Sequence, residues 1–333
     1  MIKLALLVTH KHRLISIAAI LDVFDTVNSY YAAIQQPPFF NIQLVVPDND
    51  ERALLPSYEH YTSVNLSDAD AADLVLIPAF VAEDLEQALA ANCGFVPWIR
   101  EQYRNKAEIA SFCTGAFLLG ATGLLNGKPA TTHVMARSAF AGVFPEVNLQ
   151  SDKVLTAAEG IYTSGGATST FHLLLYLVEK YCGRPVAIRT AKVFAIDMDR
   201  YTQAYFSVFV PEKHHTDDLI TEVQQRMEKG YKDANTVEAF MEDIPASRRN
   251  FVRRFKHATG ITPIEYLQKT RVEAAKRLLE QTGNSILAVM LDCGYNDIKA
   301  FRKVFRKEVG LTPTEYRVKF SGGSRKILRE EEV

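Results

Sequence analysis

Two different periodicities divide the chain. Over the first two hundred residues, short apolar runs alternate with longer stretches whose apolar positions recur at helical spacing. LALLVT from Leu4, IQLVV from Ile42, DLVLIP from Asp73 and EIASF from Glu108 have the length and aliphatic content of buried strands. LISIAAILDVFDTVNSYY from Leu14 and ATSTFHLLLYLVEKYC from Ala167 read as helices. Alternation of this kind predicts an α/β domain built on a doubly wound parallel sheet with helices on both faces. In such a domain, ligands bind beyond the carboxyl ends of the strands. The last third carries only the helical period, which predicts an all-α domain.

That last third also contains a repeat. ASRRNFVRRFKHATGITPIEYL begins at Ala246, and NDIKAFRKVFRKEVGLTPTEYR begins fifty residues later, at Asn296. Aligned, they share Phe251/Phe301, Phe255/Phe305, Gly260/Gly310, Thr262/Thr312, Pro263/Pro313, Glu265/Glu315 and Tyr266/Tyr316. Two copies make a duplicated unit, not a solenoid. In each copy the paired phenylalanines, four residues apart, give a helix its inner face, which Ile298 extends in the second copy. Lys299, Arg302, Lys303 and Arg306 fall at i, i+3, i+4 and i+7, a basic stripe about 100° wide. Arg249, Val252, Arg253 and Lys256 take the same places in the first copy. Gly260 and Gly310 are placed to stop each helix in the left-handed conformation. Thr262-Pro263 and Thr312-Pro313 then offer an N-cap followed by proline at the first helical position.

A shorter amphipathic helix precedes each basic one: VEAFMED capped by Thr236, and ILAVMLD capped by Ser285. Helix, tight turn and basic helix make a helix-turn-helix unit, whose second helix enters the major groove. Between the units, PIEYLQKTRVEAAKRLLEQ predicts one rigid helix spanning roughly 27 Å at 1.5 Å per residue. Such a spacer would hold two reading helices about one DNA turn, roughly 34 Å, apart.

Net charge is only −1, but its distribution is uneven. Residues 1–216 hold 16 Lys/Arg against 21 Asp/Glu, a balance of −5, whereas residues 244–327 hold 18 against 7, a balance of +11. The basic third points to an anionic partner, the alternative being a merely solvated surface. The four cysteines, Cys93, Cys113, Cys182 and Cys293, lack metal-ligand spacing and suggest no disulfide framework. His10 and His12 without an acid make a weak metal signal, so neither a metal nor a cofactor is expected. Without a membrane-length apolar stretch, and with MIKLALLVTHKHRL reading as a first strand, a cytoplasmic protein is expected.

The motif R271-V-x-A-A-x-x-L-L, then Ile286, then C293-G-Y-N-D-I-K-A-F-R-K-V-F-R-K-E-V-G-L-T-P-x-x-Y-R317 resembles the AraC/XylS family of bacterial transcription regulators. The resemblance covers residues 217–320 and implies a DNA-binding domain with two helix-turn-helix units. By position it implies base-edge contacts from Arg249, Val252 and Arg253, and from Lys299, Arg302 and Lys303. Arginine and lysine suit guanine O6/N7, and valine a thymine methyl. Lys256 and Arg306, one turn further on, are suited to phosphates; any single cation of the stripe could also be a phosphate contact without sequence information. Lys299 and Ala300 depart from the small polar residues common in the family's second unit, which leaves the operator sequence open.

In the first domain, EIASF runs into Cys113, and Thr114-Gly115 opens a helix. Small residues two before and two after a nucleophile, here Ser111 and Gly115, are what a tight strand-to-helix elbow requires. A cysteine at a helix N-terminus is expected to have a lowered pKa and thiolate character. With the block F-C-T-G-A-F-L-L-G-A-x-G-L-L-N-G-K-x-A-T-T-H and T163-S-G-G166, residues 1–205 resemble the ThiJ/PfpI branch of the class I glutamine-amidotransferase-like fold, a flavodoxin-like architecture. That resemblance places a nucleophile position on Cys113 and its partner on His133, with Thr114 beside them as a ligand contact. Two departures stand out: THKHRLISIAAILDVF supplies no glutamate near the first strand, and Ala79-Phe80 replace glycines after DLVLIP. Cys113 is thus open to three readings: an inert buried residue, a ligand or redox sensor, or a catalyst.

The combined expectation is a sensing and dimerising domain over 1–205, a linker over 206–216, the DNA-binding domain over 217–320, and a basic/acidic tail over 321–333. The function implied is a homodimeric, sequence-specific regulator of transcription, leaning to activation. Its expected partners are double-stranded DNA, a small-molecule effector and RNA polymerase. The alternative is a thiol-dependent hydrolase, hydratase or glyoxalase-like enzyme using Cys113.

Overall fold

Apolar runs without alternation become strands only where both faces of a sheet are covered, and this sheet is covered on both. The computed structural model describes residues 1–48, 61–81, 85–166, 168–200, 202–213, 215–233, 236–241 and 247–321. The chain divides into two compact units, Met1–Gln203 and Ala204–Val333.

The first unit runs β1 (Ile2–Leu7), α1 (Leu14–Ala33), β2 (Phe40–Val46), β3 (Thr62–Asn65), β4 (Leu74–Ile77), α2 (Leu85–Asn92), α3 (Phe95–Arg104) and β5 (Glu108–Phe112). It continues with α4 (Gly115–Ala121), β6 (Pro129–Ala130), α5 (Arg137–Val143), β7 (Asn148–Leu149), β8 (Leu155–Ala158), β9 (Ile161–Ser164), α6 (Ser169–Cys182) and α7 (Arg184–Val193). Seven strands form one sheet in the order β3-β2-β1-β4-β5-β9-β8, parallel except for β8 against β9. Leu4 and Leu6 of β1 face α1, α6 and α7, while Ala5 and Leu7 face α3 and α4. The order reverses between β1 and β4, and that switch point sets the crevice at the carboxyl edge. This is the doubly wound architecture expected.

At the opposite end of β5, Glu108 accepts hydrogen bonds from Lys180, Tyr181 and Tyr162. Burial alone would raise this carboxyl, but the three donors hold it below its ordinary value of 4.5.

The second unit contains α8 (Asp218–Gly230), α9 (Arg248–Thr259), α10 (Pro263–Gln281), α11 (Ile286–Asp292), α12 (Ile298–Val309) and α13 (Pro313–Phe320). It has two cores. Phe251, Phe255, Tyr266 and Leu267 pack with Ile220, Val223 and Met227 of α8. Phe301, Phe305, Val309 and Tyr316 pack with Val272, Ala275 and Leu279 of α10 and with Val289 and Met290 of α11. Helix α10 therefore contributes its first turns to one core and its last turns to the other. Thr262 and Thr312 each form a full capping box with Glu265 and Glu315.

One expected helix differs. VEAFMED is a 3-10 turn over Glu238–Met241, closed by Phe240 N–H to Val237 O at 3.1 Å. Its last two residues, Ala246 of the repeat and 322–333 of the tail lie outside the described residues.

Gly294, between α11 and α12, has φ +77°, and a Cβ there would sit 2.6 Å from Lys232 O and 2.7 Å from Tyr231 O. Gly294→Ala is expected to destabilise the second unit by at least about 2 kcal/mol in urea unfolding. In the first unit, Glu108 has a depressed folded pKa, so its contribution is complete above 4.5 and disappears as pH falls below it. Melting temperature measured from pH 7 to pH 3 is expected to fall more steeply for the wild type than for Glu108→Gln.

Candidate nucleic-acid interface

Helices α9 and α12 are built alike because their sequences are. Ser247 and Asp297 cap their N-termini, and Gly260 and Gly310, at φ +77° and +78°, end them. The paired phenylalanines are buried together with Thr259 on α9 and Val309 on α12, which leaves the opposite face of each helix outward. Arg249, Arg253 and Lys256 are exposed on α9, and Lys299, Arg302, Lys303 and Arg306 on α12. Val252 is half-buried and packs against the first core, leaving only part of its side chain to meet a ligand.

The cations of these helices fall into two groups. Those off the stripe are tied to acids: Arg248 to Glu238 at 3.0 Å, Arg254 to Asp217 at 2.9 Å, and Lys307 to Glu308 at 3.9 Å. The carboxyl of Asp217 is held below its usual range chiefly by the Arg254 hydrogen bond. Arg249, Arg253, Lys256, Lys299, Arg302, Lys303 and Arg306 form no ion pair among the described residues. Arg253 is steadied by a neutral group instead, donating to Asn250 Oδ1 at 3.1 Å. A phosphate or a base edge can therefore be met without first breaking a salt bridge.

Behind the stripes, polar bonds fix the scaffold. Tyr266 donates to Glu228 at 2.6 Å, and its counterpart in the repeat, Tyr316, donates to Glu280 at 2.5 Å. Lys269 of α10 holds Glu308 of α12 at 2.5 Å. Buried Arg271 donates to Tyr231 O at 2.9 Å and lies over the Tyr295 ring. Residues 204–209, which span the end of the expected sensing domain and the start of the expected linker, run along α10: Tyr205 is buried, Ser207 O accepts from buried Lys276, and Phe209 N–H donates to Glu273 at 3.0 Å. Reading the sequence alone missed this strap.

The elbow in the first unit has the expected backbone and a different chemistry. Cys113 has φ +55°, the strained turn of a strand-to-helix elbow, and a Cβ at Gly115 would lie 2.6 Å from Ile77 O. Cys113 is only 3% exposed, however. Burial pushes its thiol up to about 11, outweighing the Thr114 hydrogen bonds and the Arg13 charge that oppose it. The expected thiolate is thus corrected to a neutral thiol: desolvation exceeds the helix-terminus effect. His133 lies in the same region, half-buried, its Nδ1 accepting from Met135 N–H at 3.1 Å. Burial first, then Arg13, lowers its pKa. No hydrogen bond joins Cys113 to His133 among the described residues.

Arg13, which the sequence reading passed over, is the charge both groups feel. Two amides that an oxyanion would need are engaged within the chain. Ala79 N–H donates to Ser16 Oγ at 2.9 Å, and Phe80 N–H donates to Thr114 Oγ1 at 3.0 Å. On the far side, buried Gln203 accepts from Gly166 N–H at 3.0 Å and donates to Thr132 O at 3.0 Å, while Thr132 Oγ1 donates to Cys113 O at 3.0 Å.

Comparison with known proteins agrees with both resemblances. Residues 242–319 match the model of a helix-turn-helix domain, and residues 28–180 match that of the DJ-1/PfpI family. The chain joins a DJ-1/PfpI-type domain to an AraC-type helix-turn-helix domain, the composition of a DNA-binding transcription regulator. Over most of its length it is similar to two regulators of Pseudomonas aeruginosa. The HTH-type transcriptional regulator CdhR is 27% identical over 239 residues, 72% of this chain and 71% of that protein. The HTH-type transcriptional regulator GbdR is 27% identical over 225 residues, 67% of this chain and 60% of that protein. The HTH-type transcriptional activator RhaR of Mannheimia succiniciproducens is 35% identical over 119 residues, 31% of this chain and 43% of that protein.

The buried thiol leads to a direct expectation. At neutral pH, iodoacetamide is expected to alkylate Cys113 at least about tenfold more slowly than the exposed Cys93, with the Cys113 rate climbing as pH rises towards 11. Peptide mass spectrometry resolves the two sites, and rapid labelling of Cys113 at pH 7 would contradict the burial argument.

Proposed function

We propose that the protein is a sequence-specific DNA-binding regulator of transcription that reads two successive major grooves with α9 and α12. The observation that carries this reading is the sorting of cations on those helices. Off-stripe residues lie in ion pairs with acids, and stripe residues form no ion pair among the described residues. A merely solvated basic surface gives no reason for such a division. Arg249, Val252 and Arg253 then meet base edges from the first unit, and Lys299, Arg302 and Lys303 from the second. Lys256 and Arg306 meet phosphates.

The first unit, Met1–Gln203, serves as the sensing and dimerising domain, so that the active form is a homodimer controlled by a small-molecule effector in the cytoplasm. The groups that face an effector at the elbow are Thr114, His133 and the neighbouring Arg13, with Cys113 as a neutral, shape-determining wall. Activation through contact with RNA polymerase follows the family's leaning. No helix among the described residues is long and apolar enough to cross a membrane. The thiol-enzyme reading is disfavoured by the protonated Cys113 and by the engaged amides of Ala79 and Phe80, which remove both a nucleophile and an oxyanion site.

Binding-site selection from random DNA, followed by anisotropy titrations, tests the reading. Arg253→Ala or Lys303→Ala is expected to cost about 1–3 kcal/mol and to relax specificity at particular bases. Lys256→Ala should weaken all sequences evenly and reduce the salt slope by about one. Failure to enrich any sequence would sink the proposal.

A further inference from the structure

The two basic helices are copies of one another, and they differ at one place that bears on how each meets DNA. On α9, Arg253 donates from Nη2 to Asn250 Oδ1 at 3.1 Å, one turn earlier, and both residues are exposed. At the aligned place on α12 stands Ala300, and the cation one turn later is Lys303. A methyl group accepts no hydrogen bond, so Ala300 cannot hold Lys303 in this way. Arginine also faces lysine at the neighbouring aligned pair, Arg249 and Lys299.

Asn250 is itself well fixed. It is the third residue after the cap of α9, and its N–H donates to Ser247 Oγ at 3.4 Å. Its side-chain amide carries no charge, so it steadies the guanidinium without cancelling it, unlike Asp217 beside Arg254. Only one guanidinium N–H is used, which leaves a parallel pair of donors for a planar ligand edge. An exposed arginine is long and rotamer-rich, and ordering it on binding costs free energy. A bond already made in the free protein lowers that cost. Lysine, by contrast, brings a point charge on a flexible stem, whose rotating donors fix no plane.

We propose that Asn250 is a positioning residue, which holds Arg253 in the pose that reads the O6 and N7 edge of a guanine, so that the half-site under α9 is specified more sharply than the half-site under α12. The inference rests on the DNA-reading role proposed above and goes further, since it divides specificity unequally between the two units. Lys299, Arg302 and Lys303 then contribute more to affinity than to discrimination.

The test uses the full chain, the duplex obtained by binding-site selection, and anisotropy titrations with each base pair replaced in turn. Arg253→Ala marks the guanine as the position where discrimination disappears. Wild type is expected to prefer that guanine by at least about tenfold. Asn250→Ala, a replacement that suits a helix, is expected to reduce this preference by about fivefold, while binding to unrelated DNA stays within about twofold because the cation remains. Asn250→Asp keeps the bond but opposes the phosphates, and is expected to retain the preference while weakening every duplex. The double variant Ala300→Asn/Lys303→Arg is expected to sharpen base preference in the other half-site by about fivefold, a gain that misfolding cannot produce.

Wild-type preference in Asn250→Ala would overturn the positioning role. Discrimination lost at an adjacent base pair instead would overturn it too, by making Asn250 a base contact in its own right. Equally sharp half-sites in the selected sequences would overturn the unequal division. Failure to enrich any sequence would overturn the DNA-reading assignment itself, and this inference with it.

Discussion

The constraint on which the DNA-facing unit depends is the burial of one helix in two cores. Helix α10 places Tyr266 and Leu267 among the aromatic residues of the first half, and Val272, Ala275 and Leu279 among those of the second. It also carries two cations into the interior, Arg271 and Lys276. An unpaired buried charge costs several kcal/mol, so each is satisfied by groups from outside the helix. Arg271 reaches a carbonyl of the turn after α8, and Lys276 reaches a carbonyl of the strap. Rotating or sliding α10 would break both cores and strand both charges. The two basic faces are therefore held in a fixed relation by the same side chains that stabilise the unit.

Much of this was legible because caps and periodicity are local signals. The bounds of α10 and α11, their capping residues and the glycine stops of α9 and α12 all follow from residues within a few positions of each end. What escaped the sequence depends on distant partners. Arg253 and Arg254 are adjacent and chemically identical, yet only Arg254 meets Asp217, 37 residues away. The strap of residues 204–209 alternates inward and outward side chains without a helical period, so it passes for a connector. Strand β3, TSVN, is polar because it lies on the sheet edge, and its run gives no apolar signal.

The elbow shows how a backbone motif and its chemistry can separate. The tight turn at Cys113 requires Gly115 to clear the β4 carbonyls, and that requirement is read directly from spacing. Whether the sulfur ionises is set by how much water reaches it, which spacing does not encode. Thr114 and Ser16 occupy the amides of the facing loop, and Gln203 fills the space beside Gly165. A crevice so stitched is poorly suited to stabilising a developing negative charge.

The strap bears on where the DNA-binding part begins. A fragment started at residue 217, where the helical pattern first becomes regular, would leave behind Tyr205, Phe209 and the carbonyl that receives the Lys276 ammonium. The ammonium would keep only Glu273, three residues away on its own helix, and the aromatic flank of Tyr266 would lie bare to water. The compact second unit begins at Ala204, so the border between the halves lies thirteen residues earlier than periodicity marks it.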